Sequence, residues 1–134
     1  MLTIYVAGEA APQGSKRYVG KGIMLEASKK VKPWRNDVRA ACLDSKGKPI
    51  HQFNGDAISV DLEFIMRRPA STPKKKTPHA TKRPDLDKLV RAVFDGIGSA
   101  GVWTDDSQVV RAHVTKRIAE IDETPGCRIR VERV

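Results

Sequence analysis

At residues 83–108 the chain reads RPDLDKLVRAVFDGIGSAGVWTDDSQ. The first half of this stretch repeats apolar residues at the i, i+3, i+4 spacing of a helix that packs one face on a core. Pro84 suits the first position of such a helix, and Gly96 and Gly98 are expected to weaken its end and let the chain turn. The predicted inward stripe consists of Leu86, Leu89, Val90, Val93, Phe94 and Ile97.

Two pairs of aspartates flank the predicted helix: Asp85 with Asp87 (the first pair) and Asp105 with Asp106 (the second pair). The helix dipole favours acidic residues in a first turn by about 0.3–1 kcal/mol each, which alone explains either member of the first pair. It explains the second pair less well, because adjacent carboxylates repel and a turn needs at most one of them. Oxygen ligands of this kind suit Mg²⁺, for which Mn²⁺ can substitute. We therefore expect a divalent-cation site.

The charge of the whole chain points to an acidic partner. It has 25 Lys and Arg residues against 16 Asp and Glu, a net charge of +9. Such an excess favours nucleic acid ahead of a membrane surface, and no apolar run is long enough to span a bilayer. A basic protein that gathers carboxylates in one stretch has the outline of a metal-dependent nuclease, in which the cation activates water and offsets phosphate charge.

Basic residues concentrate in residues 67–83, the basic loop. It holds seven Lys or Arg and three prolines, with no acidic residue, and this composition predicts a mobile loop. The lysines are either a solvated charge run or cations that neutralise phosphates, with recognition of backbone and shape expected over base reading. The candidate DNA-binding residues are Lys16, Arg17, Arg67, Arg68, Lys74, Lys75, Lys76, Lys82, Arg83 and Lys88.

Two side chains near the aspartates have two interpretations each. Arg91 stands four residues from both Asp87 and Asp95, so it either forms an i, i+4 ion-pair ladder or stabilises charge on a phosphate. It is not a proton donor, because the guanidinium stays charged. Trp103 is either a core aromatic or a surface on which an unpaired base stacks.

The remaining pattern predicts an α+β fold, a small mixed β-sheet with two main helices in a single domain of residues 1–134. Cys42 and Cys127 lack metal-ligand spacing and are expected to be reduced and buried, as in a cytoplasmic protein. The other predicted elements are a strand at residues 2–7, a hairpin about Gly20-Lys21-Gly22, a helix from Pro33 to Ser45 with Pro33 in its first turn, and strands at 57–66, 109–118 and 127–133.

The blocks RPDLDKLVRAVFD and GVWTDDSQV resemble the RusA family of Holliday junction resolvases, which are found in bacteria, phages and prophages. The resemblance covers residues 82–110, and the stretch from Gly8 to Arg17 resembles the start of the family more loosely. Two aspartate blocks at this separation are far more specific than a lone Asp-x-Asp. The resemblance implies a RusA-like fold.

The resemblance also implies a homodimer that binds four-way DNA junctions by structure and cuts two strands symmetrically with Mg²⁺ or Mn²⁺. Carried onto this chain, the metal-binding residues are Asp85, Asp87 and Asp106, with Asp105 in support. The resemblance places Arg91 at the position of the family's catalytic lysine, so Arg91 is the expected catalytic cation, and Lys88 is a second cation one turn from Asp85.

The leading interpretation is a Mg²⁺-dependent endodeoxyribonuclease that resolves four-way junctions in DNA recombination and repair. A broader nuclease for flaps or branched DNA is an alternative within the enzymes. A non-catalytic junction-binding protein, with a structural aspartate cluster, is the alternative outside them.

Overall fold

A computed structural model describes residues 1–14, 16–18, 24–26 and 29–134, with backbone alone at 16–18 and 24–26. The predicted α+β fold is confirmed: one four-stranded mixed sheet, a two-stranded ribbon and two helices form a single small domain. The strands are β1 (Leu2–Ala7), β2 (Lys16–Tyr18), β3 (Met24–Glu26), β4 (Ile58–Met66), β5 (Val109–Ile118) and β6 (Gly126–Arg133); the helices are α1 (Val31–Ala41) and α2 (Leu86–Ser99), with a 3₁₀ turn at Asp106–Gln108.

The main sheet has the order β1-β6-β4-β5. β6 is antiparallel to both β1 and β4, whereas β5 is parallel to β4. A parallel pair needs a crossover connection, and α2 supplies it between β4 and β5. The helix contacts β5 and α1, and α1 in turn contacts β1, so both helices lie side by side on one face of the sheet.

The core lies between this face and the helices. In β4, Ile58, Val60, Leu62 and Phe64 are buried on the helix side, while on the other face Asp61 and Glu63 are half-exposed and Ser59 is buried. Trp34 and Val38 of α1 and Leu89, Val93 and Ile97 of α2 are buried opposite them. Leu86 is the exception in the predicted stripe, because it is 37% exposed at the start of α2.

Gly96 and Gly98 both lie in the last turn of α2, which continues to Ser99, so the chain does not turn at either glycine as predicted. Gly96 instead allows close packing: a Cβ there would stand 2.8 Å from the Cβ of Val38 on α1. The chain turns at Gly101, whose φ of 86° lies in the left-handed region that glycine adopts without steric cost.

Two predicted helix boundaries need correction. Pro84 precedes the N-cap residue Asp85 rather than starting α2. The first helix begins two residues earlier than predicted, so that Pro33 is its third residue, and it ends at Ala41 rather than Ser45. Asp44 explains the early end, because its side chain accepts hydrogen bonds from Lys46 N at 2.8 Å and Lys48 N at 3.0 Å and so forms a turn that competes with the helix.

Several smaller predictions are also tested. Cys42 and Cys127 are buried and free, as predicted, and burial raises the pKa of their thiols to about 11 and about 12. β2 and β3 pair as an antiparallel hairpin, whereas its predicted turn at Gly20-Lys21-Gly22 lies outside the described residues, as do the side chains of Lys16 and Arg17. Neither helix described here has the length and apolarity needed to cross a membrane.

Candidate active site

The first pair lies at the N-terminus of α2. Asp85 is the N-cap residue, yet its side chain makes no capping hydrogen bond and its nearest ionic partner is Lys88 Nζ at 3.6 Å. Asp87 follows in the first turn; it is exposed, and no side-chain hydrogen bond or ion pair holds it among the described residues. Both carboxylates are therefore open to solvent and available as ligands, while the positive end of the helix dipole stabilises their charge.

A cleft of about 640 Å³ opens beside Asp85. Its lining includes three predicted DNA-binding residues, Arg67, Arg83 and Lys88, together with Lys30. Lys30 was not among the sequence candidates, and it forms an exposed ion pair with Glu9 at 3.2 Å. We call this the basic cleft. Four cations and two carboxylates, Glu9 and Asp85, line this cleft, and the excess of positive charge attracts a phosphate backbone.

In the second pair, Asp105 has a structural role. Its Oδ1 accepts a hydrogen bond from Ser107 N at 2.8 Å, and the Gln108 side chain accepts from Asp105 N at 3.1 Å, which completes a capping box around the 3₁₀ turn. The bond from the Ser107 amide holds the pKa of the Asp105 carboxyl below its ordinary value. The Asp-x-x-Gln spacing is a capping signal that the sequence already contained.

A core residue, Trp103, fixes the orientation of the Asp106 side chain. Its Oδ1 accepts a hydrogen bond from Trp103 Nε1 at 2.8 Å. Trp103 is 2% exposed and packs edge-on against Phe94, with ring centroids 5.3 Å apart. The structure confirms the interpretation of Trp103 as a core aromatic. Gly98 leaves room for this arrangement, since a Cβ there would stand 3.3 Å from Trp103 Nε1 and 3.6 Å from Asp106 Oδ1.

The structure does not bring the two pairs together within one chain. Asp106 packs at Gly98, eleven residues beyond Asp87 on α2, which is about 16 Å of helix axis. Two aspartate side chains that share one cation have their oxygens about 4 Å apart, and side chains of this length do not close the difference. Accordingly, the described residues contain no group of three or more His, Cys, Asp or Glu side chains placed to hold a metal ion.

The donor set at the first pair fits a hard cation by itself. Mg²⁺ keeps several waters and binds proteins through one or two carboxylates, which is what Asp85 and Asp87 offer. Asp106 is a third carboxylate of the right chemistry at the opposite end of the helix. The predicted three-residue ligand set is therefore divided between two places, with only the first pair on the side of the basic cleft.

Arg91 does not form the ion-pair ladder. The ion pairs described for α2 join Lys88 to Asp85 and Arg35 to Asp95 (3.9 Å), and Asp95 also accepts a hydrogen bond from the Gln13 side chain. The Arg91 guanidinium instead lies over Gly14, where a Cβ would stand 2.5 Å from its Nη1. The segment that ends at Gly14 therefore runs along the polar face of α2. In this segment Gln13 N donates a hydrogen bond to the carbonyl oxygen of Lys88 in the helix at 2.9 Å.

Within the basic loop, the cations divide into two kinds. The guanidinium of Arg68 donates to the carbonyls of Pro73 (2.7 Å), Lys76 (2.8 Å) and Ala119 (3.2 Å) and to the hydroxyl of Thr77 (2.8 Å), so it organises the loop. The remaining cations of the loop are exposed, namely Arg67, Lys74, Lys75, Lys76, Lys82 and Arg83.

Sequence reasoning missed three residues that support the aspartates. Gln108 links the second pair to the preceding loop, because its Nε2 donates to the carbonyls of Phe53 (2.5 Å) and Asp56 (3.0 Å). Trp103 was recognised as a core residue but not as the donor to Asp106. Lys116 reaches from β5 to the backbone before Asp85, and nothing in the local sequence of the strand indicated that contact.

Comparisons with known proteins identify relatives of this sequence. A model of the family described as Endodeoxyribonuclease RusA matches residues 7–132. Curated relatives named crossover junction endodeoxyribonuclease RusA, from Escherichia coli K12 and Shigella sonnei, are 51% identical to the chain over 35 residues. A relative of that name from Enterobacteria phage 82 has the same identity over the same length. In each case the match spans 26% of this chain and 29% of the relative.

The fold and cleft define a small α+β protein that presents carboxylates within a basic surface. Because the family model covers nearly the whole chain, the protein belongs to the Endodeoxyribonuclease RusA family. The resemblance inferred from the sequence is thereby confirmed.

Proposed function

We propose that this protein is a metal-dependent endodeoxyribonuclease that resolves four-way DNA junctions. The observation that carries the proposal is the first pair, two exposed carboxylates of which Asp85 lines a cleft that also contains four cations. Membership of the RusA family and the names of the curated relatives support the same activity. The net charge of +9 fits a polyanionic substrate, whose affinity comes mainly from neutralised phosphates.

Each group of residues has a separate role, which depends on where it lies in the structure. Asp85 and Asp87 hold Mg²⁺ or Mn²⁺, which when bound supplies an acidic water and offsets charge on the phosphate. The basic cleft orients the DNA backbone so that a phosphate lies over the first pair. The exposed lysines of the basic loop add affinity that depends on salt and not on sequence. Arg91, one turn beyond Asp87, stabilises negative charge without transferring a proton.

A second copy of the chain gives Asp106 a place in this scheme. The outer edge of β5 pairs with no described strand, apart from a bridge between His79 and Arg117 near its end. Val110 on that edge is 62% exposed, and an unpaired edge is a template for another strand. Antiparallel pairing of two β5 edges about Ala112 brings Asp106 of one copy toward the end of β5 in the other, where α2 starts. We propose this homodimer, with two sites for two cuts.

The primary test is cleavage of an end-labelled synthetic four-way junction, with Mg²⁺ and with EDTA, beside a flap substrate and a linear duplex. Paired cuts placed symmetrically about the crossover, dependent on the metal, support the proposal. Equal cutting of flaps indicates a broader branched-DNA nuclease. Salt-dependent junction binding with no cutting in Mg²⁺ or Mn²⁺ indicates a non-catalytic junction-binding protein and overturns the enzyme assignment.

Mixing two inactive variants tests the shared site. If the first pair acts with Asp106 of the other copy, a mixture of Asp87→Asn and Asp106→Asn chains forms heterodimers with one intact site, and nicking of the junction returns. If each site lies within one chain, the mixture stays inactive. A mixture of Asp85→Asn with Asp87→Asn is the matched control, since no heterodimer of these variants has an intact site in either arrangement.

A further inference from the structure

Lys116 of β5 contacts the backbone that leads into the first pair. Its Nζ donates hydrogen bonds to the carbonyl oxygens of Lys82 and Pro84, both at 2.9 Å. Pro84 is the residue immediately before Asp85, the N-cap of α2. A side chain from the sheet therefore holds the last residues of the basic loop at the point where the loop becomes the helix.

Backbone–backbone hydrogen bonds of the described residues do not fix the chain just before Asp85. Among the described residues, Thr81 N bonds to His79 O and Leu89 N to Asp85 O, but no backbone–backbone hydrogen bond involves residues 82–84. Pro84 has no N–H to offer. Among the described hydrogen bonds, the two from Lys116 are therefore the ones that attach the backbone just before Asp85 to the sheet.

The choice of lysine at this position also needs an explanation. Lys116 is half-buried, whereas lysine is mostly exposed in proteins. No carboxylate lies within ion-pair distance of it among the described residues, so its two carbonyl acceptors are its polar partners. Hydrogen bonds from a charged donor are roughly twice as strong as neutral ones, and such a donor suits a connection that must stay fixed.

We propose that Lys116 is a positioning residue for the nuclease site, acting through the Pro84 carbonyl on the orientation of Asp85. Rotation of the peptide between Pro84 and Asp85 would turn the Asp85 carboxylate relative to the basic cleft, and Lys116 prevents that rotation. The inference rests on the proposed function for its catalytic consequence. Its structural part, the fixed entrance to α2, stands independently.

Three variants test the inference. Lys116→Met keeps the length of the side chain and removes the donor, whereas Lys116→Arg keeps donors and charge. Residues that orient metal ligands without binding the metal themselves typically contribute about 10–100-fold to activity or metal affinity. We expect Lys116→Met to lower kcat in that range and to raise the Mg²⁺ concentration needed for half-maximal cutting, with partial rescue in Lys116→Arg. Should Lys116→Met not fold, Lys116→Gln, which shortens the side chain, replaces it with the same expectation.

Two further measurements separate positioning from a direct DNA contact. Junction affinity in EDTA should change less than about two-fold, and the slope of its salt dependence should stay unchanged, whereas loss of a phosphate contact lowers that slope by about 0.9. Amide hydrogen exchange in residues 86–89, without metal or DNA, should be faster in Lys116→Met than in the wild type and restored in Lys116→Arg.

The results distinguish this inference from the proposed function. A wild-type protein that cuts no DNA overturns the nuclease proposal, while the exchange measurement still tests the fixed entrance to α2. Unchanged exchange at 86–89 in Lys116→Met overturns the inference even if the wild type is an active nuclease. A reduced salt slope with unchanged kcat also overturns it and assigns Lys116 to phosphate binding.

Discussion

The two aspartate pairs have similar sequences but opposite surroundings. In the first pair both carboxylates are exposed and accept no hydrogen bond among the described residues; Asp85 lines the basic cleft, where Lys88 is its ionic partner. In the second pair, Asp105 accepts from the Ser107 amide and Asp106 from the Trp103 indole. Carboxylates with unused acceptor sites are ready to bind a cation, whereas those that accept hydrogen bonds already contribute to the local fold.

The difference shows that adjacent aspartates need not act as one unit. Asp105 completes a capping box, and its neighbour Asp106 is aimed by a buried indole. One residue of the second pair therefore builds the turn, and that turn points the other residue outward. The comparison predicts that variants of the first pair affect activity, variants of Asp105 affect stability, and variants around Asp106 affect both.

The largest expected effect is the loss of cleavage in Asp87→Asn. The amide keeps the size of the side chain but removes the charge that binds the cation. We therefore expect the cleavage rate to fall by more than about 100-fold, which is a larger loss than is typical for residues that only support the metal ligands. Junction binding should be unchanged or tighter, because less negative charge faces the phosphates. The free energy of unfolding should change by less than about 1 kcal/mol. Cleavage at the wild-type rate would show that the first pair is not the metal site.

Trp103→Phe should have a smaller effect on activity. The variant keeps an aromatic ring against Phe94 but removes the indole N–H that orients Asp106. We expect cutting to fall about 10-fold and the protein to be destabilised by about 1–3 kcal/mol. Single-turnover cleavage and urea unfolding measure the two effects. Phe94→Leu is the control, since it alters the same aromatic contact and retains the Trp103–Asp106 hydrogen bond.

Gln108→Ala should act mainly on stability. The side chain makes four hydrogen bonds, to the amides of Thr104 and Asp105 and to the carbonyls of Phe53 and Asp56. Loss of these bonds should lower the free energy of unfolding by about 1–3 kcal/mol and the cleavage rate by only a few-fold. Gln52→Ala, which loses one long bond to the Gly101 carbonyl, is the matched control. Equal stability of the two variants would contradict this role for Gln108.

The same contrast explains how much was predictable from the sequence. The helix carrying the first pair was predicted because its apolar periodicity is set by residues within the segment itself. The packing role of Gly96 was not predictable, because its contact with Val38 on α1 joins residues that are distant in sequence. The distance between the two pairs and the reach of Lys116 likewise depend on the crossover from β4 to β5. Local rules identified the side chains, but the three-dimensional arrangement decided which of them meet.

The smallest expected effect is a pH dependence at Asp105. The hydrogen bond from the Ser107 amide lowers the folded-state pKa of this carboxyl, so its contribution to stability is present above the unfolded-state pKa of about 4 and is lost as the pH falls through the lower folded-state value. Asp105→Ser keeps a capping oxygen but does not titrate. Thermal unfolding of both proteins between pH 2.5 and 6 should therefore show the wild-type Tm falling more steeply below pH 4. Parallel Tm profiles would mean that the Ser107 amide does not favour the charged form, and Asp105 would then be as free to bind a cation as the first pair.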